Sequence, residues 1–131
     1  MKKTTLLNSD LSCVISRLGH NDLLAIGDAG LPIPPGTPRI DLALVRGVPG
    51  FSQTLQAVLA EMQVERIVLA NETSQVSPQV FAEIQALLPE IPIEWVSHEA
   101  FKQRTAAARA VVRTGECTPY ANVILVAGVA F

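Results

Sequence analysis

Apolar positions along the chain follow two periods, one near 3.6 residues and one near 2, and the switches between them predict a succession of helices and strands. Asn8, Ser9 and Asp10 offer helix N-caps; Leu11, Val14, Ile15 and Leu18 follow at helical spacing, and Gly19 is a stop. His20 then falls just beyond the helix end. Residues 23–26 have the unbroken apolar character of a buried strand and open into GDAGLPIPPGTP, a loop dense in turn formers. Ile40, Leu42 and Leu44 alternate and predict a strand, and Phe51, Leu55, Val58, Leu59 and Met62 form a helical stripe. Residues 64–70 predict the next strand. Ser77 as a cap, with Pro78 in the first helical position, opens a helix whose inner face carries Phe81, Ile84, Leu87 and Leu88. Residues 91–96 predict another strand. Ser97 caps a helix running through Phe101 and Lys102. Residues 110–112 and 121–126 are the last strands, joined by TGECTPY.

Strands alternating with helices predict an α/β fold: a three-layer sandwich with a largely parallel or mixed sheet flanked by helices. No repeat or linker interrupts the 131 residues, so residues 1–131 are expected to form one domain. Composition adds one expectation. Hydrophobic residues make up 49% of the chain and charged residues only 17%. That balance fits either a chain that buries part of its surface against copies of itself or a tight, Ala-rich core. The net charge of −2, with no basic run beyond Lys2-Lys3, argues against a nucleic-acid partner. No apolar stretch is long enough to span a membrane, and MKKTTLLNSD lacks the apolar core of a signal peptide, so a cytoplasmic location is expected. A bridge between Cys13 and Cys117 is not expected in that compartment. Cys13, within a helical apolar pattern, is expected to behave as a small hydrophobe; Cys117, in a polar loop, has the setting of a reactive thiol.

The groups able to carry chemistry are few. His20 and His98 are the only histidines. His20 has two readings: a helix-end side chain bonding spare carbonyls, or a proton-transfer group, since imidazole exchanges protons near neutral pH. His98, in the first turn of a helix, is a surface residue or a hydrogen-bond partner kept neutral by the helix N-terminus. Asp28 follows a buried-type strand, where open α/β sheets place ligands, and the region of Tyr120 is a second candidate for that rim. Tyr120 could equally anchor its loop, and Asn122 could satisfy local backbone groups. Lys102, four residues after His98, shares its helix face, and Glu72 follows a strand; both have a plain reading as solvated charges. No GxGxxG, Walker loop, HExxH or GxSxG is present, and the spacing of His20, Asp28 and His98 matches no metal-site pattern, so neither a cofactor nor a metal is expected.

Three motifs carry a resemblance. GHND, DAGLPIP and GECTPYAN, supported by RIDLALVRGVP and VSHEAFK, resemble the D-ribose pyranase family over nearly the whole chain. Relatives of that family acting on L-fucose share the Gly-His-x-Asp element and the Tyr-x-Asn, but differ in the proline-rich loop and before the tyrosine. This chain resembles the ribose branch.

The resemblance implies a cofactor-free isomerase that converts β-D-ribopyranose to β-D-ribofuranose by acid–base-assisted ring opening and reclosure. It implies His20 as the proton donor. Asp28, His98 and the segment Tyr120, Ala121, Asn122 would bind substrate, Ala121 through its backbone. It further implies a homo-oligomer, a ring-shaped decamer or octamer, with sugar sites where subunits meet. The alternatives are a mutarotase for another sugar such as L-fucose and a non-catalytic sugar-binding protein.

Overall fold

Helices and strands alternate along the computed structural model, which describes residues 1–131. In chain order they are α1 (Ser9–Arg17), β1 (Leu23–Gly27), β2 (Arg39–Asp41), α2 (Phe51–Leu59), β3 (Val64–Ala70), α3 (Asn71–Val76), α4 (Pro78–Leu87), β4 (Ile93–Val96), α5 (His98–Arg104) with a 3-10 turn at Thr105–Ala107, β5 (Ala110–Arg113) and β6 (Val123–Ala127). The strands form one six-stranded sheet in the order β2-β5-β1-β6-β3-β4. Every neighbouring pair is parallel except those made by β6, which runs antiparallel to both β1 and β3. The sheet is therefore mixed, within the predicted α/β class.

Alternate residues of the central strands serve two cores, one on each face. Leu24, Ile26, Ile67, Leu69, Val112, Val123 and Leu125 join Leu11, Phe51, Leu55, Val58 and Ile84 from α1, α2 and α4. Ala25, Val68, Val111 and Ile124 point the other way, to Phe101 of α5 and to Leu31 and Ala108. This is the three-layer arrangement. No helix is long and apolar enough to cross a membrane.

Four local expectations are corrected. The strand through Leu42 and Leu44 stops at Asp41: the Asp41 carboxylate accepts the Ala43 N–H, and the chain turns through Val45–Val48, leaving Leu44 78% exposed. NETSQV forms the unpredicted α3, because Asn, Thr and Ser disguise a short helix whose buried face is a single residue, Thr73. Ser77 occupies the cap position of α4 but makes no capping bond; its hydroxyl donates to the Pro119 carbonyl at 2.6 Å. Cys13 is exposed rather than part of the core; Cys117 is exposed too, and both thiols are free. Asn8 and Ser97 cap α1 and α5 as predicted, accepting the N–H groups of Leu11 and Ala100.

Candidate functional site

Strand polarity decides what can meet. The parallel strands β1 and β3 to β5 all end at the same edge of the sheet, and β6 begins there. Asp28 therefore follows β1, Glu72 follows β3, His98 follows β4, and Tyr120, Ala121 and Asn122 lead into β6, all at one rim. Ligands in open α/β sheets favour that position.

The centre of the rim is a bond between residues 94 apart: the Asp28 N–H donates to Asn122 Oδ1 at 2.9 Å. It exists because Gly27 lets the two segments close; a Cβ there would stand 2.9 Å from Asn122 Oδ1 and 2.5 Å from Leu31 Cδ2. Asn122 is fully buried, and its Nδ2 has no hydrogen-bond partner. The Asp28 carboxylate accepts the Gly30 N–H through Oδ1 at 2.8 Å, which leaves Oδ2 available.

The Tyr120 backbone takes a positive φ of 60°, unusual for a bulky residue. Thr73 holds its carbonyl at 2.9 Å, and Ser77 holds the carbonyl of Pro119 before it. The Tyr120 ring stands edge-on to His98, with centroids 5.0 Å apart. His98 is fixed through its main chain, whose N–H donates to Glu72 Oε2 at 2.6 Å, while its buried Nδ1 has no partner. Buried polar atoms almost always have partners, and Asn122 Nδ2 and His98 Nδ1 have none within the chain. Lys102 pairs with Glu99 at 2.6 Å.

The GECTPY loop supports this rim. Glu116 accepts the N–H groups of Phe51, Cys117 and Thr118 and the Thr118 hydroxyl. Burial pushes its carboxyl up, but these donors outweigh it and hold the group below the usual carboxylate range. Thr114 bonds the Gly27 carbonyl, and Arg113 reaches the Ala29 carbonyl and the Asp41 carboxylate.

His20 is elsewhere. It precedes β1, at the opposite edge of the sheet, and the five residues of β1 separate it from Asp28 by about 15 Å. Its Nε2 lies 2.8 Å from Glu65 Oε2, and Arg66 bonds Glu65 Oε1 at 2.9 Å. The turn carrying it is clamped by Asp22, which accepts the Gly19 N–H at 2.8 Å and pairs with Arg109 at 2.9 Å. The Gly19 bond, then Arg109, hold the Asp22 carboxyl below its usual range. His20 opens onto a cleft of about 430 Å3 with Leu18, Met62, Val129 and Phe131 in its walls.

The structure thus brings together Asp28, His98, Tyr120, Ala121 and Asn122 but not His20. It also revises three plain readings. His20 bonds a carboxylate rather than helix carbonyls, Asn122 bonds a distant rather than a local amide, and Glu72 is a bonded member of the rim rather than a solvated acid. Glu65 carried no sequence signal; its partner lies 45 residues away. No three His, Cys, Asp or Glu side chains converge as a metal-binding group.

The model of the RbsD / FucU transport protein family matches residues 1–130. A D-ribose pyranase of Clostridium perfringens is 57% identical over 131 residues, all of both chains. The structure of Bacillus subtilis RbsD complexed with D-ribose superposes with a TM-score of 0.96 at 46% identity, covering 100% of each chain. The fucose mutarotase of Streptococcus pneumoniae, in complex with L-fucose, gives a TM-score of 0.82 at 25% identity, over 95% of this chain and 94% of that one.

Proposed function

The chain belongs to the RbsD / FucU transport protein family, and on that premise we propose that it interconverts the pyranose and furanose rings of D-ribose, the activity of a D-ribose pyranase. The observation that carries this reading is the rim itself. Asp28 and Asn122, joined by a hydrogen bond, and His98 and Tyr120, in ring contact, gather carboxylate, amide, imidazole and phenol groups on one edge of the sheet, the kinds of group a polyhydroxylated sugar requires. The ribose branch is supported by 57% identity to a D-ribose pyranase against 25% to a fucose mutarotase.

The chemistry needs one acid, one base and a grip on the hydroxyls. In this reading His20 donates a proton to the ring oxygen O5. The anomeric hydroxyl gives its proton to the available oxygen of Asp28, and the C1–O5 bond breaks to leave the free aldehyde. Rotation brings the C4 hydroxyl to C1. The new C1–O4 bond forms as O4 yields its proton to His20 and the carbonyl oxygen takes back the one held by Asp28. Both groups end as they began, and no electrons or external groups are exchanged. Proton transfer by a positioned side chain contributes about 10²–10⁴-fold. Asn122, His98, Tyr120 and the Ala121 backbone hold the remaining hydroxyls.

The separation of His20 from the rim gives the reading a geometric condition: the donor must come from another copy of the chain. Exposed apolar side chains flank both halves. Leu44 and Val45 line a cleft with Ala29 and Cys117 at the rim edge, and Val129 and Phe131 stand beside His20. A contact joining two different surfaces in this way is head-to-tail, and such contacts form a ring where the rotation between neighbours closes. A ring of subunits, decamer or octamer, with a sugar site at each junction is the assembly we propose. Its place is the cytoplasm, a reading supported by two free, exposed cysteines.

The test is magnetisation-transfer NMR on D-ribose with and without the purified protein. Faster exchange between pyranose and furanose signals, lost in His20→Ala, is the expected result. Ribose binding with unchanged exchange would replace this reading by that of a non-catalytic sugar-binding protein, and faster exchange of L-fucose than of D-ribose would move it to the fucose branch.

A further inference from the structure

A cleft of about 590 Å3, sharing no residue with the His20 cleft or the rim, lies between α1 and the first residues of β2 and β5. One wall is a stripe of α1: Asp10, Cys13, Val14 and Arg17, at the spacing that aligns side chains on one helix face. The other wall brings Arg39 from β2 and Arg109 from just before β5. Register places Arg39 beside Val111, two residues past Arg109, so the two arginines occupy neighbouring strand starts.

The charge balance of this cleft is unusual for the molecule. The chain is net negative and has seven arginines, three of which line this one cleft. Arg66, Arg104 and Arg113 pair with carboxylates, and Arg109 pairs with Asp22. Arg17 and Arg39 form no ion pair. Arg17 and Arg39 are exposed with no carboxylate partner, so their guanidinium donors are free to bind an anion at this concavity beside Arg109. Guanidinium forks match the oxygens of a phosphate group in bidentate fashion, a geometry ammonium groups do not reproduce.

The rest of the cleft limits what the anion carries. Its volume falls within the range of sites for small organic molecules, about 300–1,000 Å3, well beyond a bare ion. Val14, Pro38, Ile40 and Ala110 supply an apolar lining. Asp10, the one carboxylate in the lining, lies two helical turns from Arg17, about 10 Å along the axis. It repels a phosphate from its own end and accepts a hydroxyl there.

We propose that this cleft is a second binding site, for a phosphate monoester of a small hydroxylated molecule, with the phosphate on Arg17, Arg39 and Arg109 and the hydroxylated end toward Asp10. Arg109 connects it to the proton donor. The same guanidinium pairs with Asp22, whose other oxygen holds the Gly19 N–H beside His20. A phosphate that draws on Arg109 weakens that clamp, so the site regulates the turn carrying His20. Only this last link rests on the proposed function.

The experiment is a titration of the full chain with glycerol 2-phosphate at constant ionic strength. It is read in proton–nitrogen correlation spectra from the Nε–H signals of Arg17, Arg39 and Arg109 and the backbone amide of Gly19. All four signals are expected to move together and saturate with one Kd. The double variant Arg17→Gln/Arg39→Gln is expected to weaken binding by roughly tenfold or more, as loss of charge-assisted hydrogen bonds predicts. Arg46→Gln, which removes the remaining unpaired arginine, is expected to leave the Kd unchanged. Shifts that never saturate, or an unchanged Kd in the double variant, would overturn the site and leave only an ion atmosphere. Saturating arginine shifts with a stationary Gly19 amide would overturn the link to His20. Ribose exchange measured on the same sample judges the proposed function separately, since its absence leaves the phosphate titration as it stands.

Discussion

His20 Nε2 and Glu65 Oε2 stand 2.8 Å apart, joining the turn after α1 to the second residue of β3. A carboxylate accepts only, so the imidazole carries a proton on Nε2, and in the donor form that the proposed reaction requires a second proton sits on Nδ1. Arg66 bonds the second oxygen of Glu65 at 2.9 Å and fixes the carboxylate in turn. In the proposed reaction Glu65 therefore acts through His20, as a positioning residue.

Replacing Glu65 with Ala removes that fixing while leaving the rim intact. The pyranose–furanose exchange rate at saturating ribose is expected to fall about tenfold, a fraction of what a positioned proton-transfer group supplies, with KM unchanged. Glu65→Gln, which keeps an acceptor, recovers part of the rate. Nitrogen chemical shifts of His20 report the tautomer directly, and an unaltered tautomer mixture with an unaltered rate would remove Glu65 from the mechanism.

Glu116 gives a pH dependence with a definite sign. Its donors hold the folded-state pKa below the unfolded value of about 4.3. The ionised carboxylate therefore contributes stability in full above that value, and the contribution is lost as pH falls through the lower folded value. At neutral pH, Glu116→Gln is expected to lower the denaturation midpoint by an amount corresponding to roughly 1–3 kcal/mol, since it weakens charge-assisted bonds to three backbone amides. Chemical denaturation repeated at descending pH is expected to show the wild-type and variant midpoints converging below about pH 4.

Helices α1, α4 and α5 and strand β3 were legible in the chain because caps, Pro78 and apolar periodicity all agree there. The same local reasoning extended β2 too far, since alternation of Ile40, Leu42 and Leu44 carries no sign of the Asp41–Ala43 bond that ends it. It passed over α3, which owes its helical form to Thr73 and its neighbours packing against the Tyr120 loop. The candidate residues were legible one by one. Asp28 and the Tyr120 region were legible as candidates for one rim, but the joining of His98 and Glu72 to it and the absence of His20 from it were not, because strand order sets them: antiparallel β6 delivers Asn122 to Asp28, and the polarity of β1 sends His20 to the opposite edge. Resemblance supplied roles for these residues and implied sites where subunits meet; the sheet adds the geometric reason, since it holds His20 and the rim at opposite edges of one chain.

Gly27 tests whether the rim depends on close approach. A methyl group there meets Leu31 and the Asn122 oxygen, and both neighbours are buried with little room to move. Gly27→Ala is expected to cost about 1–3 kcal/mol of stability, as overpacking does. It should also weaken ribose binding by titration calorimetry, because Asn122 must shift away from the Asp28 amide. Gly36→Ala, with no atom near the added methyl, is the control and is expected to leave binding unchanged.

The split site makes a prediction that no single-chain site shares. Suppose the donor at each junction comes from one copy and the sugar-binding rim from the next. His20→Ala then inactivates the donor half of every junction, and Asp28→Asn inactivates the rim half. Either homo-oligomer alone has little activity. Mixing the two at equal amounts, with unfolding and refolding to exchange subunits, produces some junctions where an intact His20 from the Asp28→Asn chain faces an intact Asp28 from the His20→Ala chain. For random assembly of a head-to-tail ring, half the donors and half the rims are intact, so about a quarter of the junctions carry both. Ribose exchange in the mixture is therefore expected to recover to about a quarter of the wild-type rate. A site completed within one chain gives no recovery at any ratio, because no chain in the mixture carries both intact residues. Recovery that peaks at the equal mixture and falls toward either pure variant identifies the junction as the place where the proton donor meets the sugar.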